Sequence, residues 1–347
     1  MTKSSLLGLS LQNLKAVVTS LGQPAFRAKQ LHEWIYKKFT IDFQKMSNLS
    51  ADLRNKLDEK YCVIPFSIKT TQTSKDGTVK YLFECQDGEL METVYMPTEL
   101  RRTICFSTQI GCAVGCVFCA SGKFGIIRNL TPSEIAAQIL FMAATYGKMP
   151  TNIVAMGMGE PLLNTRFEDG LKIITSNDFL GLGARHVTVS TSGIVPGIRH
   201  LADAGYQWNL AVSIHAPDDE ARSKIIPDKT RYSIDEILEA CRYYREKTKR
   251  KVTFEYTLVK GENDTTAQAI KLAKLAKSVD AKINVIPLND TDSDLIRPSE
   301  KDIKRFVNTI EKNRAVVTVR YSRGEDIAAA CGQLAKQIKA SSQSTDA

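Results

Sequence analysis

The sequence predicts an α/β protein whose main body is a parallel sheet closed fully or partly into a barrel, with a small α+β domain in front of it. Three observations predict it. From residue 102 onward, short β-branched apolar runs alternate with helical segments, the pattern of strands buried on both faces by crossover helices. Residues 62–96 read instead as short strands broken by the turn signals KDG and QDG. Residues 5–60 carry apolar side chains at helical spacing. A chain of 347 residues holds such a body and its appendage without disulfide staples.

Taken in order, Leu11, Leu14, Val17, Val18 and Leu21 mark a first helix, and Ala28 to Phe39 a second. The strands VKYLFEC and METVYMP follow. Barrel strands are expected at TICFST (103–108), NIVAM (152–156), HVTVS (186–190), NLAVSI (209–214), VTFEYTLV (252–259), KINVIP (282–287) and AVVTVRY (315–321). Thr131-Pro132-Ser133-Glu134 sets a cap before a proline in the first turn, and Ser233 with Glu236 resembles a capping box, so both start helices. The expected organisation is an accessory domain over 1–98 whose basic helices would bind RNA phosphates, a barrel over 99–322 and a C-terminal segment over 323–347. Its last residues, ASSQSTDA, read as a disordered tail.

Composition excludes several classes. Hydrophobic residues make up 43% and charged residues 24%, which is ordinary for a soluble globular protein. No apolar run approaches the ~18–20 residues of a bilayer span, and the N-terminus lacks a signal-peptide core. The expected location is the cytoplasm, with no membrane partner. The net charge of +9 favours a polyanionic partner, and residues 1–60 hold ten Lys and Arg against five Asp and Glu. Eight cysteines without a secretory signal point to ligands or reactants rather than to a disulfide framework.

Barrel chemistry belongs at the C-terminal ends of the strands. The segments that follow the strands there are polar, glycine-rich or cysteine-rich: Cys112, Cys116 and Cys119 after the first, Met156 to Pro161 after the second, Ser190-Thr191-Ser192 after the third, Ser213-Ile214-His215 after the fourth, and Asn289 after the sixth. All should meet on one face. The C-x3-C-x2-C spacing of Cys112, Cys116 and Cys119 suits three thiolates around one iron–sulfur cubane whose fourth iron stays open. A structural zinc site would need a fourth ligand from a second Cys or His pair, and no such pair follows.

This motif and its place after the first strand resemble the radical S-adenosylmethionine (SAM) superfamily, and the resemblance implies a partial (β/α)6 barrel over roughly residues 102–322. It also implies that the open iron of a [4Fe-4S] cluster binds SAM and that one electron cleaves SAM to a 5′-deoxyadenosyl radical. MGMGEPLLN resembles the superfamily's SAM-binding Gly-Gly-Glu element. With Arg102-Thr103-Ile104-Cys105-Phe106-Ser107-Thr108-Gln109 and the Asp326 to Leu334 stretch DIAAACGQL, it resembles the RlmN/Cfr family of RNA adenine methyltransferases over nearly the whole chain.

That resemblance implies methylation of an sp2 carbon of adenine in 23S rRNA, and in one branch also of the adenine beside the anticodon in tRNA. Cys331 would accept a methyl group from one SAM. A second SAM would then turn it into a radical that adds to the ring. Glu92 would take the ring proton, and Cys105 would release the product by forming a disulfide with Cys331. Gly159, Glu160, Ser190, Ser213, Ile214, His215 and Asn289 match the SAM-binding positions. An electron donor such as flavodoxin or ferredoxin and a monomeric state are further expectations. GCAVGCVFCASG, STSGIVP and HAPDDEAR resemble the branch that methylates C2 rather than C8. After Asn289 the chain departs from the family's Pro-containing loop, reading DTDSDLIRP. Cys62, Cys85 and Cys241 are read as packing residues. The competing readings are a C8 methyltransferase, a radical SAM enzyme that modifies peptides or activates another enzyme, and a non-catalytic iron–sulfur or zinc protein that binds RNA.

Overall fold

The computed structural model describes residues 2–227, 232–291 and 293–334; the tail ASSQSTDA lies outside them. Three helices, α1 (Leu11–Ser20), α2 (Arg27–Tyr36) and α3 (Ala51–Lys60), open the chain. The short strands β1 (Ser4–Ser5) and β2 (Tyr61–Cys62) pair at their base. Then β3 (Phe66–Thr73), β4 (Val79–Cys85) and β5 (Leu90–Pro97) form an antiparallel meander. The second predicted helix stops at Tyr36, and Phe39 turns into the left-handed region at φ 51°.

The meander continues into the barrel sheet. β5 pairs antiparallel with β6 (Arg102–Cys105), and Val94 faces Cys105 across that seam. After the small hairpin β7 (Gln109–Gly111) and β8 (Ile126–Asn129), the remaining strands run parallel to β6. They are β9 (Asn152–Ala155), β10 (Val187–Thr191), β11 (Asn209–Ser213), β12 (Val252–Leu258), β13 (Lys282–Pro287) and β14 (Val317–Val319). The ten-stranded order is β3 to β6 and then β9 to β14 in sequence, so the barrel stays open between its edges.

Six helices cross between the parallel strands: α4 (Pro132–Tyr146), α5 (Phe167–Thr175), α6 (Val195–Asp203), α8 (Ile234–Thr248), α9 (Thr266–Ser278) and α10 (Glu300–Lys312), with the short α7 (Asp219–Ile225) leading into α8. This is a (β/α)6 partial barrel. Both expected caps at Thr131 and Ser233 form complete capping boxes, and Thr265 with Gln268 makes a third. One apolar core runs from Leu14 and Leu31 through Phe83 and Ile104 to Phe306, so the N-terminal helices share their packing with the barrel. No helix of the described residues is long and apolar enough to cross a membrane.

Candidate active site

Parallel strands end on one edge, and that edge gathers most of the residues singled out by the sequence. Cys112, Cys116, Cys119, Gly159, Glu160, Ser190, Ser213 and His215 line one cavity, together with Cys331 from the far end of the chain. Two of the expected SAM-binding positions do not line it. Ile214 is fully buried, its N–H donating to the Glu255 carbonyl at 3.1 Å. Asn289 is buried and donates from Nδ2 to the Cys331 carbonyl at 2.8 Å, while its Oδ1 has no partner among the described residues.

Glycines let these loops close on one another. Gly159 sits at φ +99°, and a Cβ there would fall 2.5 Å from Gln109 Cβ; no other residue fits that conformation without displacement. The next residue, Glu160, donates its N–H to Gln109 Oε1 and accepts from the N–H groups of Leu162 at 3.1 Å and Ser192 at 2.6 Å. Burial raises the Glu160 pKa, and those N–H donors oppose the rise. His215, at φ 52°, accepts from the Thr257 N–H through Nδ1 at 2.9 Å. Burial and then the Arg222 charge push its pKa down to about 3, so the ring is neutral with its proton on Nε2. Phe118 meets it edge-on at 4.8 Å.

The three cysteine thiols suit a bound metal cluster. Burial pushes Cys112 up to about 12, Cys116 well above its ordinary value, and Cys119 upward, so each becomes a thiolate only against a bound metal charge. Among the described residues, no three His, Cys, Asp or Glu side chains converge on a single ion. A cubane asks for no such convergence, because each thiolate takes a different iron.

Cys331 also lines a second cavity, beside Cys105, Met96, Met156 and Arg320. Burial pushes the Cys105 thiol up to about 12, and a charge on Cys331 adds to the rise. The Arg320 guanidinium donates to Met156 Sδ at 3.3 Å, and the charge of Cys331, ahead of those of Glu255 and Cys105, raises its pKa. Glu92 lines neither cavity. It is fully buried on β5, 3.3 Å from Lys80 Nζ, which also donates to the Ala328 carbonyl. Cys85 and Cys241 are core residues, and Cys62 is half-buried.

Sequence reasoning missed Arg320, Glu255 and Arg222. The first two carried a readable signal, since each is a charge inside an otherwise apolar strand segment. Arg222 is buried and binds the carbonyls of Ile214 and Ser192, which ties the exits of β10 and β11 together.

The partial barrel and its cysteine cavity define a radical SAM enzyme: residues 106–273 match the model of the radical SAM superfamily. Residues 4–63 match the model of the ribosomal RNA large subunit methyltransferase N-terminal domain. Two similar proteins carry the description "Probable dual-specificity RNA methyltransferase RlmN". The one from Lachnoclostridium phytofermentans is 44% identical over 337 residues, 96% of this chain and 95% of that protein. The one from Clostridioides difficile is 46% identical over 331 residues, 94% of this chain and 96% of that protein. A crystal structure of a radical SAM methyltransferase from Sphaerobacter thermophilus is 43% identical, with a TM-score of 0.91 over 96% of this chain and 99% of that one. The chain belongs to the RlmN family.

Proposed function

We propose that this chain methylates C2 of an adenine in the peptidyl-transferase centre of 23S rRNA, and C2 of the adenine beside the anticodon in tRNA, through an S-methylcysteine at Cys331. The observation that carries the reading is that Cys331 lines both cavities, one with Cys112, Cys116, Cys119 and Glu160 and the other with Cys105. When bound, a single [4Fe-4S] cluster on Cys112, Cys116 and Cys119 supplies reductive cleavage of SAM to a hydrogen-abstracting carbon radical. Glu160, Gly159, Ser190, Ser213 and His215 hold and orient SAM beside it, and Asn289 fixes the Cys331 backbone.

Cys331 takes a methyl group from a first SAM, because a thiolate is the softest nucleophile in the site. Once that methyl group has lost a hydrogen atom to the radical drawn from a second SAM, its carbon would bond to C2 of adenine, Glu92 would accept the ring proton, and the surplus electron would return to the redox partner. The Cys105 thiolate would then attack Sγ of Cys331: an S–S bond forms, the Cys331 S–C bond breaks with its electron pair on the carbon, a proton from solvent completes the new methyl group, and cytoplasmic thiols reduce the disulfide. Two SAM molecules per turnover, an electron donor such as flavodoxin or ferredoxin, a monomeric state and a cytoplasmic location complete the reading. Mass spectrometry of the tryptic peptide holding Cys331 tests it, with one added CH2 group expected in protein incubated with SAM. Nucleosides digested from the RNA product should contain 2-methyladenosine. An unmodified Cys331 in an enzyme that methylates RNA would overturn the route, and 8-methyladenosine would overturn the ring position.

A further inference from the structure

The barrel interior opens a second time, at the end opposite the Cys331 loop. Inward positions on five neighbouring strands are small or polar there, Thr188, Ala211, Thr253, Asn284 and Thr318, with Val154 of β9 beside them. A filled barrel would carry branched apolar side chains at such positions. They leave a polar shaft whose inner end is formed by Met156 and Glu255, residues that also line the cysteine cavity. Asn284 Nδ2 donates to Glu255 at 2.7 Å, and Thr318 Oγ1 donates to Asn284 Oδ1 at 3.2 Å. One hydrogen-bonded ladder therefore runs along the wall.

The outer mouth carries Arg101, Lys249, Arg250, Lys251 and Lys282. Glu255 is the one carboxylate among the described lining residues, and it sits at the far end. None of the five cations stands within ion-pair distance of a carboxylate among the described residues, although Arg250 donates to Asn209 Oδ1 and the Lys282 charge acts on Glu255. In the N-terminal helices Lys3, Lys38 and Lys56 are paired with Asp58, Glu33 and Asp52, and Arg27, Lys37 and Arg54 are held by backbone carbonyls, while Lys15, Lys29, Lys45 and Lys60 form no ion pair among the described residues. Five cations against one carboxylate around a concave opening focus a positive field on whatever enters.

We infer that this mouth binds RNA phosphates, so that the substrate strand meets the barrel at its base and the target base is directed up the shaft toward Met156 and Cys331. The inference rests on RNA being the substrate. Phosphate contacts set the register of a strand without reading its sequence, and a base turned out of the strand is the form in which such enzymes receive it. The polar wall suits the edge of a base better than apolar packing would.

The test replaces three exposed cations at once, Lys249→Gln, Lys251→Gln and Lys282→Gln, and none of them lines either cysteine cavity. Affinity for a hairpin RNA carrying the target adenine is measured against salt for the reconstituted wild type and the variant. Each phosphate contact with single-stranded RNA contributes about 0.7 to the slope of log K against log salt. Loss of three should lower the slope by about 2 and weaken binding about 100-fold at ~0.1 M salt. Methylation of Cys331 by SAM alone needs no RNA and reports an intact barrel. An unchanged slope in the variant, with a wild type that methylates the hairpin, overturns the site. A wild type that binds RNA and never methylates it overturns the substrate reading instead, and the slope still decides the site. If the triple variant does not fold, the three single variants carry the test, each with a slope lower by about 0.7; three unchanged slopes overturn the inference.

Discussion

Gly332→Ala is the sharpest probe of how Cys331 is held. Gly332 lies at φ +82°, and a Cβ there would stand 2.9 Å from the Phe118 carbonyl oxygen and 3.4 Å from Thr291 Cγ2. An L-residue in the left-handed region costs about 1–2 kcal/mol, and the Phe118 carbonyl has to give way as well. A total of about 2 kcal/mol against the seated loop shifts its equilibrium by a factor of about 30. Gly332 also accepts the Ala120 N–H at 2.7 Å through its carbonyl, so the strain falls on the bond that joins the Cys331 loop to the cluster loop. The variant should keep its iron and cleave SAM at close to the wild-type rate, while RNA methylation in a single turnover falls about tenfold or more. Hydrogen exchange of residues 325–334 should rise. Wild-type methylation together with unchanged exchange would refute the view that this glycine's conformation seats Cys331.

Three further outcomes are expected. Cys331→Ala should bind cluster and SAM without modifying RNA, whereas Cys105→Ala should still attack adenine and accumulate RNA joined to protein, seen as a nuclease-sensitive shift on a denaturing gel; normal turnover by Cys105→Ala would end the division of labour. Glu92→Gln strands Lys80 as a buried cation 3.3 Å from its lost partner and should cost about 3–5 kcal/mol, and adding Lys80→Met should restore most of that. If the double variant regains turnover as well as its Tm, Glu92 accepts no proton. His215 is held at about 3, below its free value of 6.5. Under acid conditions the unfolded chain therefore takes a proton that the folded chain refuses, and stability falls as pH drops from about 6.5 toward 3. Between pH ~7.5 and ~5.5 this one group accounts for about 1.4 kcal/mol, a slope that His215→Gln should remove in denaturant titrations; an identical slope in the variant would refute the assignment.

Much of the site was legible because its elements are local. Cys112, Cys116 and Cys119 sit within one loop, and Gly159 with Glu160 ends one strand, so spacing alone brings them together. Strand-end logic then placed Ser190, Ser213 and His215 on the same edge. Long-range contacts were harder to read. Lys80 and Glu92 lie on neighbouring antiparallel strands, with Glu92 opposite Leu82 in the β4–β5 register, and only that register puts their charges side by side. The AVVTVRY run predicts a seven-residue strand, yet pairing stops at Val319. Beyond it, Arg320 turns its guanidinium to Met156 and the cysteines. The interior below the site was equally hidden. Thr188, Thr253 and Thr318 look like ordinary β-formers one at a time, and they line a polar shaft only when the barrel sets them face to face.

The proposed chemistry asks one sulfur to serve two chambers, and the way the loop is held suits that demand. Lys80 donates to the carbonyl of Ala328, Asn289 to that of Cys331, Ala120 to that of Gly332 and Ser121 to that of Leu334. Every one of these anchors grips the backbone. None engages Cys331 Sγ. The main chain around the cysteine is thus held on both sides by bonds that do not involve its thiol. From one backbone position Cys331 borders the cavity of Cys112, Cys116 and Cys119 and the cavity of Cys105, and its charge acts on Cys119 and Cys105 alike. On the proposed route Arg320, beside both thiols, would offset the charge that each carries in turn.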